Sequence, residues 1–127
     1  MKITTHLISG AGNTFHIVDE KVGADWSIAK KKEFAQAVCK AQPADGFIFL
    51  KKSPLAWDFY NNDGSDAEMS GNATRCVGLY VSEIQHDQHH QWILKTTAGP
   101  IQIEKVANGE YKVKMTPIVE KASTKGY

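Results

Sequence analysis

Residues 61–76 read NNDGSDAEMSGNATRC, and this stretch decides how the centre of the chain folds. It follows an apolar segment, and Asp63–Ser65 has the composition of a tight turn. Ser70-Gly71-Asn72 then has the composition of a helix start, where Ser70 or Asn72 would cap the first turn. Because the first N–H groups of a helix lack internal acceptors, they attract anions. The stretch predicts either a simple helix cap or a small anion-binding site.

Length and composition restrict the class of protein. The chain has 127 residues, 42% of them hydrophobic and 23% charged, with a formal net charge of +1. We expect one globular domain, and the balanced charge gives no reason to expect a nucleic-acid or membrane partner. No apolar run approaches the roughly 20 residues of a membrane helix, and the N-terminus lacks a signal-peptide core. Cys39 and Cys76 make no disulfide framework, so we expect buried thiols and a cytoplasmic protein.

Hydrophobic periodicity predicts the elements of the first half. Residues 2–8 alternate with Ile3, Thr5 and Leu7 on one face, and residues 15–19 form a second strand after a glycine-rich turn. Ser27 is expected to cap a helix to about Ala41, with residues 34, 37, 38 and 41 on its apolar face. Residues 47–50 are continuously apolar and predict a strand buried on both faces, followed by a strand at 56–60.

The second half predicts one helix and a meander. Apolar residues between positions 73 and 84 recur at helical spacing over a wide face, so a helix at about 71–84 should lie at the centre of the core. Residues 92–96, 101–104 and 111–115 alternate as strands, with turns expected at Gly99-Pro100 and Asn108-Gly109. The tail from Lys121 to Tyr127 lacks periodicity.

Three other motifs give weaker evidence of a functional site. The Gly10–Phe15 segment lacks the Gly-Lys-Ser/Thr ending of a phosphate loop, and it is better interpreted as presenting Asn13 to a ligand. His86, His89 and His90 favour a solvated loop over a metal site. The basic run Lys30–Lys32 favours a solvated helix face.

Together the motifs resemble diaminopimelate epimerase. The resemblance rests on Ser9–Phe15, Phe59–Ser65 and Ala67–Cys76, with support from Ala44–Gly46 and Thr96–Gly99. It implies an α+β fold in which each of two similar halves is a mixed, mostly antiparallel sheet wrapped around a central helix. Residues 1–117 would be the N-terminal half, and residues 118–127 a tail or the start of a linker to a second half.

The resemblance also implies an activity and its residues. Enzymes of this family interconvert LL- and meso-diaminopimelate without a cofactor or metal, using one cysteine from each half as base and acid. Asn13 and Asn61 would hydrogen-bond this small amino-acid substrate, and Gly71 and Asn72 would hold its α-carboxylate at the helix start. Ser70 stands where the family has its first catalytic cysteine.

Two departures from the family pattern bear on turnover. A free thiol titrates near 8.5, and a positive helix end lowers that value further, whereas an alcohol is far harder to ionise. Ser70 should therefore permit binding but impair proton abstraction. The second catalytic cysteine has no counterpart, because Cys39 and Cys76 do not match its position. We expect a half-length chain that is impaired or inactive alone.

Two other functions remain open from the sequence. One is a racemase or epimerase acting on proline or hydroxyproline, a group in which serine can occupy the first catalytic position. Against it, those enzymes continue with Gly-His, whereas this chain has Gly71-Asn72. The other is a non-catalytic domain that binds a ligand or dimerises through an exposed apolar cleft face. The expected protein partner is a second copy of this chain, forming a homodimer, or a separate chain that supplies the second half.

Overall fold

A computed structural model describes residues 3–10, 12–19 and 21–115 of the chain. Two α-helices, one π-helical segment and seven strands occur in this part. In chain order they are β1 (His6–Gly10), β2 (Asn13–Val18), α1 (Ile28–Ala41), β3 (Gly46–Lys52), β4 (Leu55–Asn61), α2 (Gly71–Leu79), the π-helical segment (Tyr80–Ile84), β5 (Gln91–Thr96), β6 (Gly99–Ala107) and β7 (Glu110–Met115).

The strands form one mixed sheet in the order β1-β2-β3-β4-β5-β6-β7. The pairs β1–β2, β3–β4, β5–β6 and β6–β7 are antiparallel, whereas β2–β3 and β4–β5 are parallel. Parallel neighbours need a crossover connection, and the two helices supply them, α1 between β2 and β3 and α2 between β4 and β5. The predicted α+β class with a mixed, mostly antiparallel sheet is confirmed.

Helix α2 packs inside the curl of this sheet. It contacts β1 and β2 at one end of the strand order and β6 and β7 at the other, so the sheet bends around it. Its inward side chains are buried, as the apolar spacing predicts. Gly78 lets the strands approach closely, because a Cβ there would lie 2.8 Å from Ile103 Cγ2 and 2.9 Å from Tyr111 Cδ1.

Strand β3 is the wall shared by two apolar cores. Ile48 and Leu50 face the core around α2, whereas Phe47 and Phe49 face the core beneath α1. All four are buried, which confirms the prediction from the continuous apolar run. Successive side chains of a strand point to opposite faces, and a strand covered on both faces therefore needs no polar alternation.

Helix α1 has the predicted bounds but a shifted apolar face. Ser27 caps it by accepting a hydrogen bond from the Lys30 N–H at 3.1 Å. Ala35 and Cys39 are its buried residues, whereas Ala37 and Ala41 are exposed, so the predicted face was partly wrong. The small side chains at 35 and 39 allow close approach to β3, and this packing sets the rotation of the helix.

The first strand lies later than the alternation predicted. Strand β1 begins at His6 and continues through Gly10, with Ile8 buried and Leu7 51% exposed. The inward face is set by α2, because a Cβ on Gly10 would lie 2.9 Å from Cys76 Sγ. Gly10 pairs directly with Asn13, so β2 begins two residues before the predicted position 15, and Gly12 in the turn has a positive φ of 96°.

The meander β5–β6–β7 is confirmed, with one correction at its first turn. Thr96 pairs with Gly99, so the first turn falls at residues 97–98, and Gly99-Pro100 lies within β6. The second turn lies at Asn108-Gly109, as predicted, and Gly109 has a positive φ of 76°. The predicted tail at 118–127 lies outside the described residues, as do positions 116–117 of the predicted domain.

The helix predicted to end near residue 84 has the expected extent but changes type. After Leu79 the backbone adopts π-helical hydrogen bonding, and the Gln85 N–H donates to the Tyr80 carbonyl five residues earlier at 2.9 Å. Within residues 3–10, 12–19 and 21–115, no helix has the length and apolarity needed to cross a membrane.

Candidate functional site

Ser70 is the N-cap of α2. Its hydroxyl oxygen accepts a hydrogen bond from the Ala73 N–H at 3.1 Å, as a capping serine does. Its carbonyl oxygen accepts from the Thr74 N–H at 3.0 Å and from the fully buried Thr74 hydroxyl at 2.8 Å. The cap predicted from Ser70-Gly71-Asn72 is therefore confirmed for Ser70, and the alternative of Asn72 as cap is wrong.

Two backbone donors remain at this helix end. Within the described residues, the N–H groups of Gly71 and Asn72 have no hydrogen-bond acceptor in the protein. The helix dipole adds partial positive charge at the same place. The space beside Gly71 is open, because a Cβ there would meet only Arg75 Nη1 at 3.6 Å. This end of α2 can accept an anionic group without displacing protein atoms.

A cavity of about 430 Å³ lies in front of the cap. Its lining residues come from the start of β2, the loop before β3, the end of β4 and the segment before α2; they are Asn13, Phe15, Asp45, Phe59, Asn61, Asp66, Glu68 and Ser70. Three predicted site residues, Asn13, Asn61 and Ser70, therefore lie around one space. Gly71 and Asn72 follow Ser70 in the chain and are not part of the cavity lining.

The side chain of Asn72 contacts Asn13 directly. Asn72 Nδ2 donates to Asn13 Oδ1 at 2.7 Å, and Asn72 Oδ1 accepts from Arg75 Nη1 at 3.2 Å. Asn13 Nδ2 in turn donates to Asp45 Oδ2 at 3.3 Å. The sequence predicted both asparagines as separate ligand contacts, whereas the structure joins them in one hydrogen-bonded chain.

Asn61 has a structural role in the turn as well as a place in the cavity. Its Nδ2 donates to Ser65 Oγ at 3.0 Å and to the Asp66 carbonyl at 3.2 Å. The Asp63 carboxylate closes the same turn, and the hydrogen bonds from the Ser65 hydroxyl and N–H hold the pKa of Asp63 below its usual value. With both amide protons of Asn61 engaged, a ligand would meet its carbonyl oxygen, which accepts hydrogen bonds.

Sequence reasoning missed the acidic wall of the cavity. Asp45, Asp66 and Glu68 all line it, and Asp66 is also 3.4 Å from Lys32 Nζ on α1. A signal was present, since Asp45 directly precedes a buried strand and the other two lie within residues 61–76. The cavity is thus lined by carboxylates and by the residue that caps the positive end of α2, an arrangement that suits a zwitterion.

Neither described cysteine supplies a thiolate to this cavity. Burial raises the pKa of Cys76 to about 11, and its Sγ lies 3.8 Å from the Ile8 carbonyl. Burial, reinforced by the charge of Asp45, raises the pKa of Cys39 to about 11 as well. Both thiols are buried, as predicted, and neither lines the cavity.

Two other polar regions have their own explanations. A cavity of about 440 Å³ beside α1 includes Lys31 and Lys51, but both amines pair with Asp58, at 2.8 and 3.4 Å. The histidine segment is a loop, as predicted, in which His89 Nδ1 lies 2.6 Å from Asp87 Oδ1. In the described part of the chain no three metal-ligating side chains form a group.

The fold is also found in solved structures of low sequence identity. A phenazine biosynthesis protein of the PhzF family from Bacillus anthracis superposes with a TM-score of 0.68 at 20% identity. The match covers 89% of this chain and 40% of that one. At this identity the likeness establishes the fold alone.

Sequence comparison identifies closer relatives. The diaminopimelate epimerase of Methanopyrus kandleri is 35% identical over 102 residues, which is 76% of this chain and 36% of the relative. That of Aquifex aeolicus is 33% identical over 124 residues, 87% of this chain and 44% of the relative. The chain thus spans about two fifths of the length of these relatives. The profile of the family described as diaminopimelate epimerase matches residues 6–120. This chain belongs to the diaminopimelate epimerase family.

Proposed function

We propose that this chain forms the α-carboxylate-binding half of an amino-acid epimerase whose substrate is diaminopimelate. One observation carries the proposal: the serine-capped start of α2 and three carboxylates face the same cavity. The relatives named above are diaminopimelate epimerases, and the chain matches their family profile over most of its length.

The charges of the cavity suit the two ends of an α-amino acid. The free N–H groups of Gly71 and Asn72 would hold the α-carboxylate, helped by the helix dipole. The Asn61 carbonyl oxygen and the carboxylates of Asp45, Asp66 and Glu68 would accept hydrogen bonds from an ammonium group. Asn13, which lines the cavity and hydrogen-bonds both Asp45 and Asn72, would contact the substrate through its amide.

Ser70 would stand beside the reacting carbon but is a weak base. A thiolate at a helix start is a usable base, because the dipole lowers the pKa of its thiol, whereas a serine alcohol stays protonated at neutral pH. The Ser70 hydroxyl oxygen already accepts a bond from Ala73, and its proton can be donated to a ligand. We therefore expect this chain to bind substrate better than it turns it over.

Epimerisation also needs an acid on the opposite face of the α-carbon. Within the described residues no cysteine lines the cavity, and both thiols have a raised pKa. The second acid would therefore come from outside the described residues, in a further part of the protein or in a partner chain. The relatives, of which this chain covers 36% and 44%, are long enough to include a second half.

Washout of the α-proton tests the role of position 70. LL-Diaminopimelate is incubated in D₂O with the wild-type chain, Ser70→Cys and Ser70→Ala, and loss of the α-proton signal is followed by NMR. We expect Ser70→Cys to exchange roughly a hundredfold faster than Ser70→Ala, the usual scale for a positioned base, and the wild type to match Ser70→Ala. Equal rates for the cysteine and alanine variants would contradict a place for residue 70 at the reacting carbon.

A substrate panel separates the proposal from the proline-type alternative. Calorimetric titration with meso-diaminopimelate and with 4-hydroxyproline is expected to give saturable heat only for diaminopimelate. Binding of 4-hydroxyproline alone would overturn the substrate assignment. Calorimetric titration measures binding and not turnover, so the serine at position 70 does not affect the comparison of the two ligands.

A further inference from the structure

Four polar side chains from three parts of the fold form a continuous hydrogen-bonded chain at the cavity. Asp45 Oδ2 accepts from Asn13 Nδ2 at 3.3 Å, Asn13 Oδ1 accepts from Asn72 Nδ2 at 2.7 Å, and Asn72 Oδ1 accepts from Arg75 Nη1 at 3.2 Å. Asp45 lies in the loop before β3, Asn13 begins β2, and the other two lie on α2.

The two ends of this chain have opposite and fixed hydrogen-bonding character. A carboxylate only accepts hydrogen bonds, and a guanidinium only donates them. The amides between them can do both, and their nitrogen and oxygen ends are nearly equal in shape, so packing alone does not orient them. With Asp45 at one end and Arg75 at the other, only one orientation of both amides satisfies every link.

The Asp45 end is held in place by hydrogen bonds with the backbone of Thr14. The Thr14 N–H donates to Asp45 Oδ2 at 2.9 Å, and the Asp45 N–H donates to the Thr14 carbonyl at 2.8 Å. Arg75 follows Asn72 by three residues on the same helix, a spacing at which side chains are neighbours. The polarity of the chain is therefore set by an anchored acceptor at Asp45 and by the guanidinium donor of Arg75, one on each side of the paired asparagines.

We propose that Asp45 and Arg75 are positioning residues that fix the amide orientation of Asn13 and Asn72 for carboxylate binding. This inference deepens the proposed function and rests on it. In the observed orientation each Nδ2 uses one N–H within the chain and keeps a second for a ligand. If either amide were reversed, its carbonyl oxygen would replace that donor and repel an anionic group.

Variants of Arg75 test the inference without changing a cavity-lining residue. Arg75→Lys keeps a charged donor, Arg75→Met removes the charge and the donor but adds no acceptor, and Arg75→Glu places an acceptor where the chain requires a donor. The affinity for meso-diaminopimelate and the NMR signals of the Asn13 and Asn72 side-chain NH₂ groups are measured in each.

The expected order of affinity depends on whether residue 75 donates a hydrogen bond to Asn72 or accepts one from it. Arg75→Lys should bind meso-diaminopimelate within about twofold of the wild-type affinity. Arg75→Glu should bind it about tenfold more weakly than Arg75→Met, because reversing one charge-assisted contact changes the affinity by about that factor. In Arg75→Glu the NH₂ signals of both asparagines should move, because reversing one amide disturbs the other.

A double variant separates orientation from stability. Asp45→Asn combined with Arg75→Glu allows the links among the four side chains to form in the reverse direction. The amide nitrogen introduced at position 45 can donate to Asn13, and the carboxylate introduced at position 75 can accept from Asn72. Because Asp45 Oδ2 also accepts from the Thr14 N–H, turning that nitrogen toward Asn13 gives up this bond. We expect this variant to fold with a melting temperature somewhat below that of the wild type, with reversed amide signals and weakened carboxylate binding. Wild-type affinity in the folded double variant would overturn the inference.

The inference and the proposed function fail in distinguishable ways. A carboxylate at position 75 would also lie near Gly71 and repel an anion directly, so the amide signals decide the outcome. If the wild type binds meso-diaminopimelate and the NH₂ signals of Arg75→Glu are unmoved, the positioning role is wrong at any affinity and the binding site stands. If the wild type does not bind, the proposed function is wrong; unmoved NH₂ signals in Arg75→Glu would then also overturn the polarity argument.

Discussion

The hydroxyl oxygen of Ser70 accepts a hydrogen bond from the N–H of Ala73 at 3.1 Å, so the residue at the proposed reaction centre also caps the central helix. Stability and ligand binding therefore depend on the same side chain. Substitutions that preserve one property and remove the other can separate them.

Ser70→Ala and Ser70→Asp form such a pair. Ser70→Ala removes the cap and should lower the free energy of unfolding by about 1 kcal/mol, whereas aspartate caps as well as serine and should leave it unchanged. Ser70→Asp also places a negative charge beside the anion site, so diaminopimelate binding should be lost in a fully stable protein. Urea unfolding and calorimetric titration measure the two effects. Full binding by Ser70→Asp would show that no carboxylate approaches this helix end.

Two glycines of α2 should respond in opposite ways to alanine. A Cβ at Gly78 would lie 2.8 Å from Ile103 and 2.9 Å from Tyr111, so Gly78→Ala should destabilise the fold by about 1–3 kcal/mol through overpacking. A Cβ at Gly71 meets only Arg75 at 3.6 Å, so Gly71→Ala should keep stability but hinder ligand approach. Thermal unfolding and ligand titration of both variants check this contrast. Equal losses of stability would contradict the open space at Gly71.

A cysteine placed at position 70 should differ sharply from the two native cysteines. At the helix start its thiol should have a pKa below the ordinary 8.5, because the dipole favours the thiolate. Cys39 and Cys76, by contrast, have a pKa raised by burial to about 11. The rate of alkylation by iodoacetamide as a function of pH, resolved by peptide mass spectrometry in Ser70→Cys, measures the pKa at position 70, while the buried Cys39 and Cys76 should stay unmodified in the folded protein. A pKa above 8.5 at position 70 would argue against a positive helix end there.

The buried thiols also predict loss of stability at alkaline pH. Their pKa is raised from 9.0 to about 11 in the folded protein, so the unfolded chain releases these protons first. Their contribution to stability is therefore complete below pH 9 and is lost as pH rises through about 11. Burial raises the pKa of Tyr80 and Tyr111 in the same direction. Urea unfolding across this range should show the decline, and Cys76→Ala should make it shallower. An unchanged slope in that variant would contradict the burial effect.

Features governed by local chemistry were predictable from the sequence. The caps at Ser27 and Ser70 follow from the side chains themselves, and the burial of Phe47–Leu50 on both faces follows from a run without polar alternation. The start of β1 was not predictable in this way. Its inward face depends on contact with Cys76, which is far along the chain.

The candidate site was predictable as a set of residues but not as an arrangement. The motifs indicated Asn13, Asn61 and Ser70, and all three line one cavity. The contact between Asn13 and Asn72 joins residues 59 positions apart, and nothing local in either segment encodes it. The place of Asp45 in the acidic lining was not predictable for the same reason, since Asp45 reaches the cavity only after α1 returns the chain to the sheet, whereas Asp66 and Glu68 lie within the 61–76 stretch itself.

The central claim is that the start of α2 holds the α-carboxylate of an amino-acid substrate. The most direct measurement is an amide NMR titration of the chain with meso-diaminopimelate, with 1,5-diaminopentane, which lacks both carboxylates, as the matched control. We predict saturable shifts of the Gly71 and Asn72 backbone N–H signals with diaminopimelate and unmoved signals with the diamine. Unmoved Gly71 and Asn72 signals with diaminopimelate, or equal shifts with both compounds, would contradict the account.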